Sequence, residues 1–238
     1  MAKLSVNVNK IATVRNSRGG DEPSPVEAAR VCIEAGAHGI TVHPRADERH
    51  IRRQDVYDLA KMLTVEFNIE GDPRPDLIDL VRDVRPAQCT LVPVTPGEVT
   101  SDHGWNLTRE GERLRPVIAR LKAAGVRVSL FMDADLDQIK RAAAVGADRV
   151  ELYTAPYAWA KPRAEIDAEY AKLDAAARRA VALGLGVNAG HDLNLENLPR
   201  LRALPGLLEC SIGHALISHA LFVGLRQAVK DYLKAMGW

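Results

Sequence analysis

Histidines at positions 43, 191 and 214 and carboxylates at 70, 151 and 192 stand at or just beyond the ends of short runs rich in strand-forming residues. Imidazoles titrate near neutrality, and burial can push a carboxyl toward the same range, so this set can exchange protons with a bound substrate. Asn7, Asn9 and Lys10 follow the first run, Arg45 lies beside His43, and Asp133 follows the fifth. Lys10 is the one candidate for a Schiff-base nucleophile. A metal site built from His43, Glu70, His191 and Asp133 has no motif behind it, because neither H-x-H nor H-E-x-x-H spacing occurs, and none is expected. Each residue also has a plain structural reading. His43 could be a hydrogen-bonded histidine at a strand end. Glu70 could pair with Arg45 or act as a base with a raised pKa, and Glu151 could pair with Arg149. Gly190 should permit a sharp turn that delivers the His191 imidazole. Taken alone, His50 and Arg18 resemble ordinary surface residues, and His38, His103 and His219 are assigned structural or solvated positions.

The elements that must position these groups follow from periodicity. Short apolar runs at residues 4–8, 39–42, 65–69, 89–92, 126–131, 149–152, 186–189 and 208–212 alternate with stretches of helical period. That pattern predicts parallel strands joined by helices, and eight such units predict an α/β fold, a single-domain (β/α)8 TIM barrel over residues 1–238. An open dinucleotide-binding sheet would carry G-x-G-x-x-G after its first strand. Here residues 9–20 instead form a polar, basic stretch read as a loop. Ser24 with Glu27, and Asp135 with Gln138, predict capping boxes, and glycines 36, 125, 146 and 184 predict left-handed helix ends. Pro116 makes the fourth helix begin late or bend. Residues 93–107 and 155–163 are longer, less regular connections on the face where barrel sites lie, which predicts lids over the site.

Composition narrows the function classes. The chain of 238 residues has 32 basic and 31 acidic residues, so overall charge points to neither nucleic acid nor a membrane as partner. Cys32, Cys89 and Cys210 sit in apolar runs without C-x-x-C spacing, which suits a reducing compartment. The polar N-terminus is unlike a signal peptide, and the expectation is a cytoplasmic protein. Local charge suits phosphorylated small molecules. Ser211-Ile-Gly213-His214 should end the last strand and open a helix whose amides attract an anion, and Arg18, Arg45 and the loop around Thr100 could meet a second phosphate.

Several motifs make the chain similar to the pyridoxine 5'-phosphate synthase family. They are Val6-Asn-Val-Asn-Lys-Ile-Ala-Thr-Val-Arg-Asn-Ser-Arg-Gly19, Gly39-Ile-Thr-Val-His-Pro-Arg45, Arg49-His-Ile51, Asn68-Ile-Glu70, Val187-Asn-Ala-Gly-His191 and Ser211-Ile-Gly-His-Ala215. Leu91-Val-Pro93, Glu98-Val-Thr100 and Ser129-Leu-Phe131 extend the likeness through the middle of the chain. The resemblance implies condensation of 1-deoxy-D-xylulose 5-phosphate with 3-amino-2-oxopropyl phosphate into pyridoxine 5'-phosphate, phosphate and water. It implies no cofactor, since the amine comes with a substrate. His43 and Glu70 are then proton acceptors, His191 the donor, and Glu151 a stabiliser of transition-state charge. Asn7, Arg18, Asp192 and the Gly213-His214 amides would hold the amino-ketone phosphate, and Arg45, His50 and Thr100 the sugar phosphate. A homo-octamer is implied as well. Glu70 and His191 are read as a base and an acid whose pKa values the site pushes toward neutrality.

Two departures stand out. Asn9-Lys10 replaces the family's Asp-His, and Asp192 replaces a common glycine. Two rival readings remain: an aldolase or lyase using Lys10, and a non-catalytic barrel that binds a phosphorylated metabolite. The proton-transfer reading predicts that borohydride in the presence of a carbonyl substrate traps no adduct on Lys10, as read by peptide mass. A Lys10 adduct would establish the aldolase instead.

Overall fold

The computed structural model describes residues 1–95 and 101–238. In chain order the elements are β1 (Lys3–Asn7), α1 (Asn9–Asn16), α2 (Pro25–Glu34), β2 (Gly39–Val42), α3 (Arg53–Met62), β3 (Glu66–Gly71), α4 (Pro75–Val84), β4 (Gln88–Leu91), α5 (Leu107–Ala123) and β5 (Arg127–Met132). They continue with α6 (Leu136–Ala144), β6 (Arg149–Tyr153), α7 (Ala155–Trp159), α8 (Arg163–Ala182), β7 (Gly186–Gly190), α9 (Leu198–Leu201), β8 (Leu207–Ile212), α10 (His214–Val223) and α11 (Leu225–Met236). The strands pair in sequence order, all parallel. β1 closes the barrel on β8 with Leu4 opposite Cys210. This is the (β/α)8 barrel that the alternation predicts, with strand ends shifted by a residue or two. No described helix is long and apolar enough to cross a membrane.

Four local expectations need correction, each for a tertiary reason. Residues 9–16 form a helix, not a loop. Only Ala12 and Arg15 of α1 are buried, so its apolar period is faint, and its first turn is capped from β1 by Asn7 Oδ1, which accepts from Asn9 N at 3.0 Å. The capping boxes are half made. Ser24 Oγ accepts from Glu27 N at 3.3 Å while the Glu27 carboxylate turns to Arg30. Asp135 accepts from Asp137 N and Gln138 N, but the Gln138 side chain instead receives Leu107 N at 2.7 Å. That last bond lies at the first residue of α5, so the helix does not begin late and runs from Leu107 through Pro116. A proline inside a helix costs about 3 kcal/mol. Full burial of Leu114, Ile118 and Leu121 offsets it at roughly 1.5–3 kcal/mol each. Finally, the 155–163 connection is not irregular. It contains α7, anchored by buried Ala155 and by Tyr157, whose hydroxyl donates to Asn197 O at 3.0 Å. The four predicted helix-terminal glycines do have positive φ, 105°, 81°, 92° and 78° at positions 36, 125, 146 and 184.

Most of the buried apolar side chains form one continuous cluster between strands and helices. The barrel interior is polar. Ser5 and Thr41 share a hydrogen bond of 2.7 Å, Thr90 donates to Asn68 at 3.1 Å, and Gln88 and Asn188 both reach Glu209 Oε1, at 3.4 and 3.3 Å. At the opposite end from the βα loops, Lys3 and Arg127 both bond Glu66.

A buried ion pair joins α1 to the segment that begins α3. Arg15 Nη1 and Nη2 meet the Asp55 carboxylate at 2.6 and 2.9 Å, and Nη2 also donates to His50 O at 3.1 Å. Removing one partner strands a buried charge, which costs roughly 3–5 kcal/mol. Asp55→Ala should therefore lower the unfolding free energy by about that amount in urea titration. A loss below about 1 kcal/mol would mean that water solvates Arg15.

Candidate active site

The C-terminal ends of the strands surround a cavity of about 510 Å³. Its lining brings together Asn7, His43, Arg45, His50, Glu70, Glu151, His191, Asp192, Gly213 and His214, which sequence reasoning had scattered over six strand ends. Asn9 and Lys10 from α1 line it too. Arg18 does not. It is exposed on the turn after α1. Thr100 lies outside the described residues, and Asp133, although at the end of β5, is absent from the lining. Among the described residues no cluster of His, Cys, Asp and Glu could hold a metal.

Glu70, the penultimate residue of β3, sits at the centre of the floor. Its Oε1 accepts from Ser211 Oγ at 3.4 Å, its Oε2 from Asn7 Nδ2 at 3.5 Å, and His43 Nδ1 stands 4.0 Å from Oε2. These are long contacts that hold the carboxyl only weakly. His43 is placed from its backbone, since its N–H donates to Asn9 Oδ1 at 2.9 Å. In this chain the Asn9 carbonyl is therefore spent on the β2 end. His43 Nε2 and Glu151 Oε2 are buried without a hydrogen-bond partner, which leaves both available to a ligand. Glu151 does not pair with Arg149, whose Nη1 donates to Asn188 Oδ1 at 3.1 Å.

Gly190 serves a different end from the one expected. Positive φ falls on His191 (82°) and Asp192 (55°) rather than on the glycine, and a Cβ at position 190 would come within 2.4 Å of Glu151 Oε1. The glycine makes room for a carboxyl, and two consecutive non-glycine residues take the left-handed strain, about 1–3 kcal/mol each. The His191 ring is flanked by Phe131, with centroids 4.7 Å apart, and Tyr153, at 5.5 Å. Tyr153, Trp159 and Ser101 also line the cavity and were not singled out from sequence, and Arg49 and Ser211, named there only within motifs, line it too. Tyr153 had a signal: two residues beyond Glu151 on the same strand, it must share its face.

The sequence profile described as Pyridoxal phosphate biosynthesis protein PdxJ matches residues 4–237. The chain belongs to the PdxJ family. The pyridoxine 5'-phosphate synthase of Xanthomonas campestris pv. campestris is 56% identical over 241 residues, covering 97% of this chain and 94% of that protein. That of Bacteroides thetaiotaomicron is 53% identical and covers 98% of each. Two solved structures share the fold alone. Tryptophan synthase from M. tuberculosis has a TM-score of 0.69 at 13% identity, covering 99% of this chain and 92% of that one. Phosphoribosylanthranilate isomerase from Thermotoga maritima has 0.62 at 15%, covering 99% and 98%.

Electrostatics in this PdxJ site follow from burial. Loss of solvent pushes the Glu70 carboxyl up to about 8, against a weak bond from Ser211 and with help from Glu209. Burial, then the charges of Glu70 and Glu209, drive Glu151 well above the carboxylate range. His191 falls to about 4 through burial and then Arg45. His43 is driven well below its usual value by burial and then by Arg45, His50, Arg74 and His191. Glu70 and His191 thus do not converge on neutrality. They pass each other, leaving carboxyls protonated and imidazoles neutral in the ligand-free site. His50 falls to about 4 through burial and then the charges of Arg45, Lys10 and Arg49. That cationic crowding suits a phosphate. Burial also raises the Asp192 carboxyl, which weakens the negative charge it would set against a phosphate.

Glu70 titrates at about 8 when folded and from a reference of 4.5, so unfolding releases its proton between those values. Its contribution to stability is full below pH 4.5 and is lost as pH rises through 8. Glu70→Gln removes that loss. Its melting temperature relative to the wild type should rise from about pH 5 to about pH 8, by the equivalent of a few kcal/mol. Parallel curves for the two proteins would place the Glu70 pKa near its ordinary value.

Proposed function

We propose that the chain is a pyridoxine 5'-phosphate synthase, condensing 1-deoxy-D-xylulose 5-phosphate with 3-amino-2-oxopropyl phosphate into pyridoxine 5'-phosphate, phosphate and water, with no cofactor. The observation that carries the reading is the gathering of two carboxyls and two imidazoles with reciprocally displaced pKa values, beside cationic side chains and a helix N-terminus, in one cavity of a chain 53–56% identical to proteins of that name. Arg45 and His50, with Lys10 and Arg49 near them, would receive the sugar phosphate. The amides of Gly213 and His214, where α10 begins, would receive the amino-ketone phosphate.

Proton transfer needs Glu70 as carboxylate and His191 as imidazolium, the reverse of their ligand-free states. The substrates supply the change. An ammonium beside Glu70 stabilises its carboxylate, and phosphate dianions stabilise an imidazolium at His191, so binding moves both groups toward their working forms. Glu70 and His43 then take protons from the amine and the adjoining carbons as the amine condenses with the ketone. His191 returns a proton to each departing hydroxyl, and Glu151 stabilises charge developing over the floor. Burial keeps stray water from hydrolysing the imine between the substrates. We place the enzyme in the cytoplasm as a homo-octamer. Leu221 and Phe222 at the end of α10, 77% and 88% exposed, offer apolar surface for a subunit contact.

Chelator-treated protein given both substrates should release phosphate and pyridoxine 5'-phosphate in equal amounts. Phosphate alone, or neither product, would overturn the assignment. Glu70→Gln and His191→Asn should each lower kcat by about 10²–10⁴. The profile of kcat/KM should be a bell with limbs near 4 and 8, since both titrations belong to the free enzyme. A flat profile between about pH 5 and 9 would remove these two residues from the proton-transfer role.

A further inference from the structure

The end of β6 and the residue after it place three side chains in different environments. Glu151 lines the floor, Tyr153 flanks the His191 ring, and Thr154, the residue just beyond the strand, is fully buried and is not part of the cavity lining. Thr154 reaches across to β7. Its Oγ1 lies 2.5 Å from Gly190 O and 2.6 Å from His191 O, and its backbone N–H already donates to Gly190 O at 3.0 Å. A hydroxyl has one proton. Gly190 O can accept from both the amide and the hydroxyl, so that one proton is shared between the carbonyls of Gly190 and His191, the two that flank the turn.

The contact falls where the backbone is least content to stay. His191 and Asp192 are both left-handed, and such residues persist only when their surroundings over-determine them. A second tie lies downstream, where Asn197 Nδ2 donates to Asp192 O at 3.1 Å, and Asn197 O in turn accepts from Tyr157 on α7. The direction of the Cα–Cβ bond at 191 depends on that backbone. Relaxation to negative φ would swing the imidazole away from Phe131 and Tyr153, which with Val92 and Ala155 form a separate apolar cluster over the barrel mouth.

We infer that Thr154 is a positioning residue for the proposed reaction: its hydroxyl holds the His191 carbonyl, fixes the left-handed turn, and so keeps the imidazole between the two rings and aimed into the cavity. A threonine suits the task because its branched Cβ leaves few χ1 rotamers, and the hydroxyl is presented without further ordering. The inference rests on His191 being the proton donor.

The test compares Thr154→Val, which keeps the branched shape and removes the hydroxyl, with Thr154→Ser, which keeps the hydroxyl. Kinetics are measured in the full-length enzyme well below each unfolding midpoint, alongside the His191 ring proton resonance, assigned by its loss in His191→Asn. The valine variant should lose on the order of 10- to 100-fold in kcat, with KM for both substrates within about twofold. Its His191 resonance should leave the ring-current-shifted position, and the serine variant should restore both. Unchanged kcat and resonance in Thr154→Val would overturn the inference. So would loss of both in Thr154→Ser, and that variant decides alone if valine prevents folding. A wild type that makes no pyridoxine 5'-phosphate would defeat the functional reading, while the resonance would still report on the clamp.

Discussion

Desolvation of ionisable groups at the barrel mouth is the constraint on which the site depends. Three groups able to carry charge, Glu70, Glu151 and His43, are buried on a floor that offers them few hydrogen bonds, and His191 stands half-buried beside them. Each responds by favouring its neutral form, carboxyls moving up and imidazoles down. The polar barrel interior extends the effect, because Glu209 below the floor opposes ionisation of both carboxyls above it. Such a site is quiet when empty. In the proposed reaction, charged substrates would restore the ionic states that proton transfer requires, which would couple chemistry to occupancy.

Holding such groups in place falls to the backbone more than to side-chain pairing. His43 is fixed through its own N–H by Asn9, and His191 through a left-handed turn gripped from β6. Asn9 is the residue that supplies the first of these anchors. A neutral carbonyl oxygen does the anchoring here without adding a negative charge next to the cationic rim of Arg45, Lys10 and Arg49. Neighbouring elements therefore supply the supports, while His43 Nε2 and Glu151 Oε2 stay unpartnered.

The proposed phosphate ends are organised separately. On one side the Arg15–Asp55 pair ties α1 to the segment carrying His50, so the cationic rim is braced by a buried ion pair beneath it. On the other, α10 begins at Gly213 against Asn7, where a Cβ would come within 3.1 Å of the Asn7 Cβ. The two supports stand at the ends of β2 and β8, the two neighbours of β1 in the closed sheet, so the proposed phosphate sites would lie near each other on the same rim.

Much of this was legible in the residues. Alternation of strand and helix patterns fixes the number and order of units, and barrel geometry then sends the residues at strand ends to one rim, so His43, Glu70, Glu151 and His191 could be named without coordinates. Other features were not. Helix α1 hides in a polar stretch because its cap comes from β1 and its buried side chain is an arginine. Gly190 looked like a turn residue because a sequence does not reveal which carboxyl will approach it from the next strand. The direction in which His191 titrates also escaped, since an isolated imidazole and one between Phe131 and Tyr153 differ only in their surroundings. The sequence by itself determined which chemical groups the barrel would present and at which end. The tertiary structure alone decided their protonation and aim, because both depend on desolvation and contacts between residues that are distant along the chain.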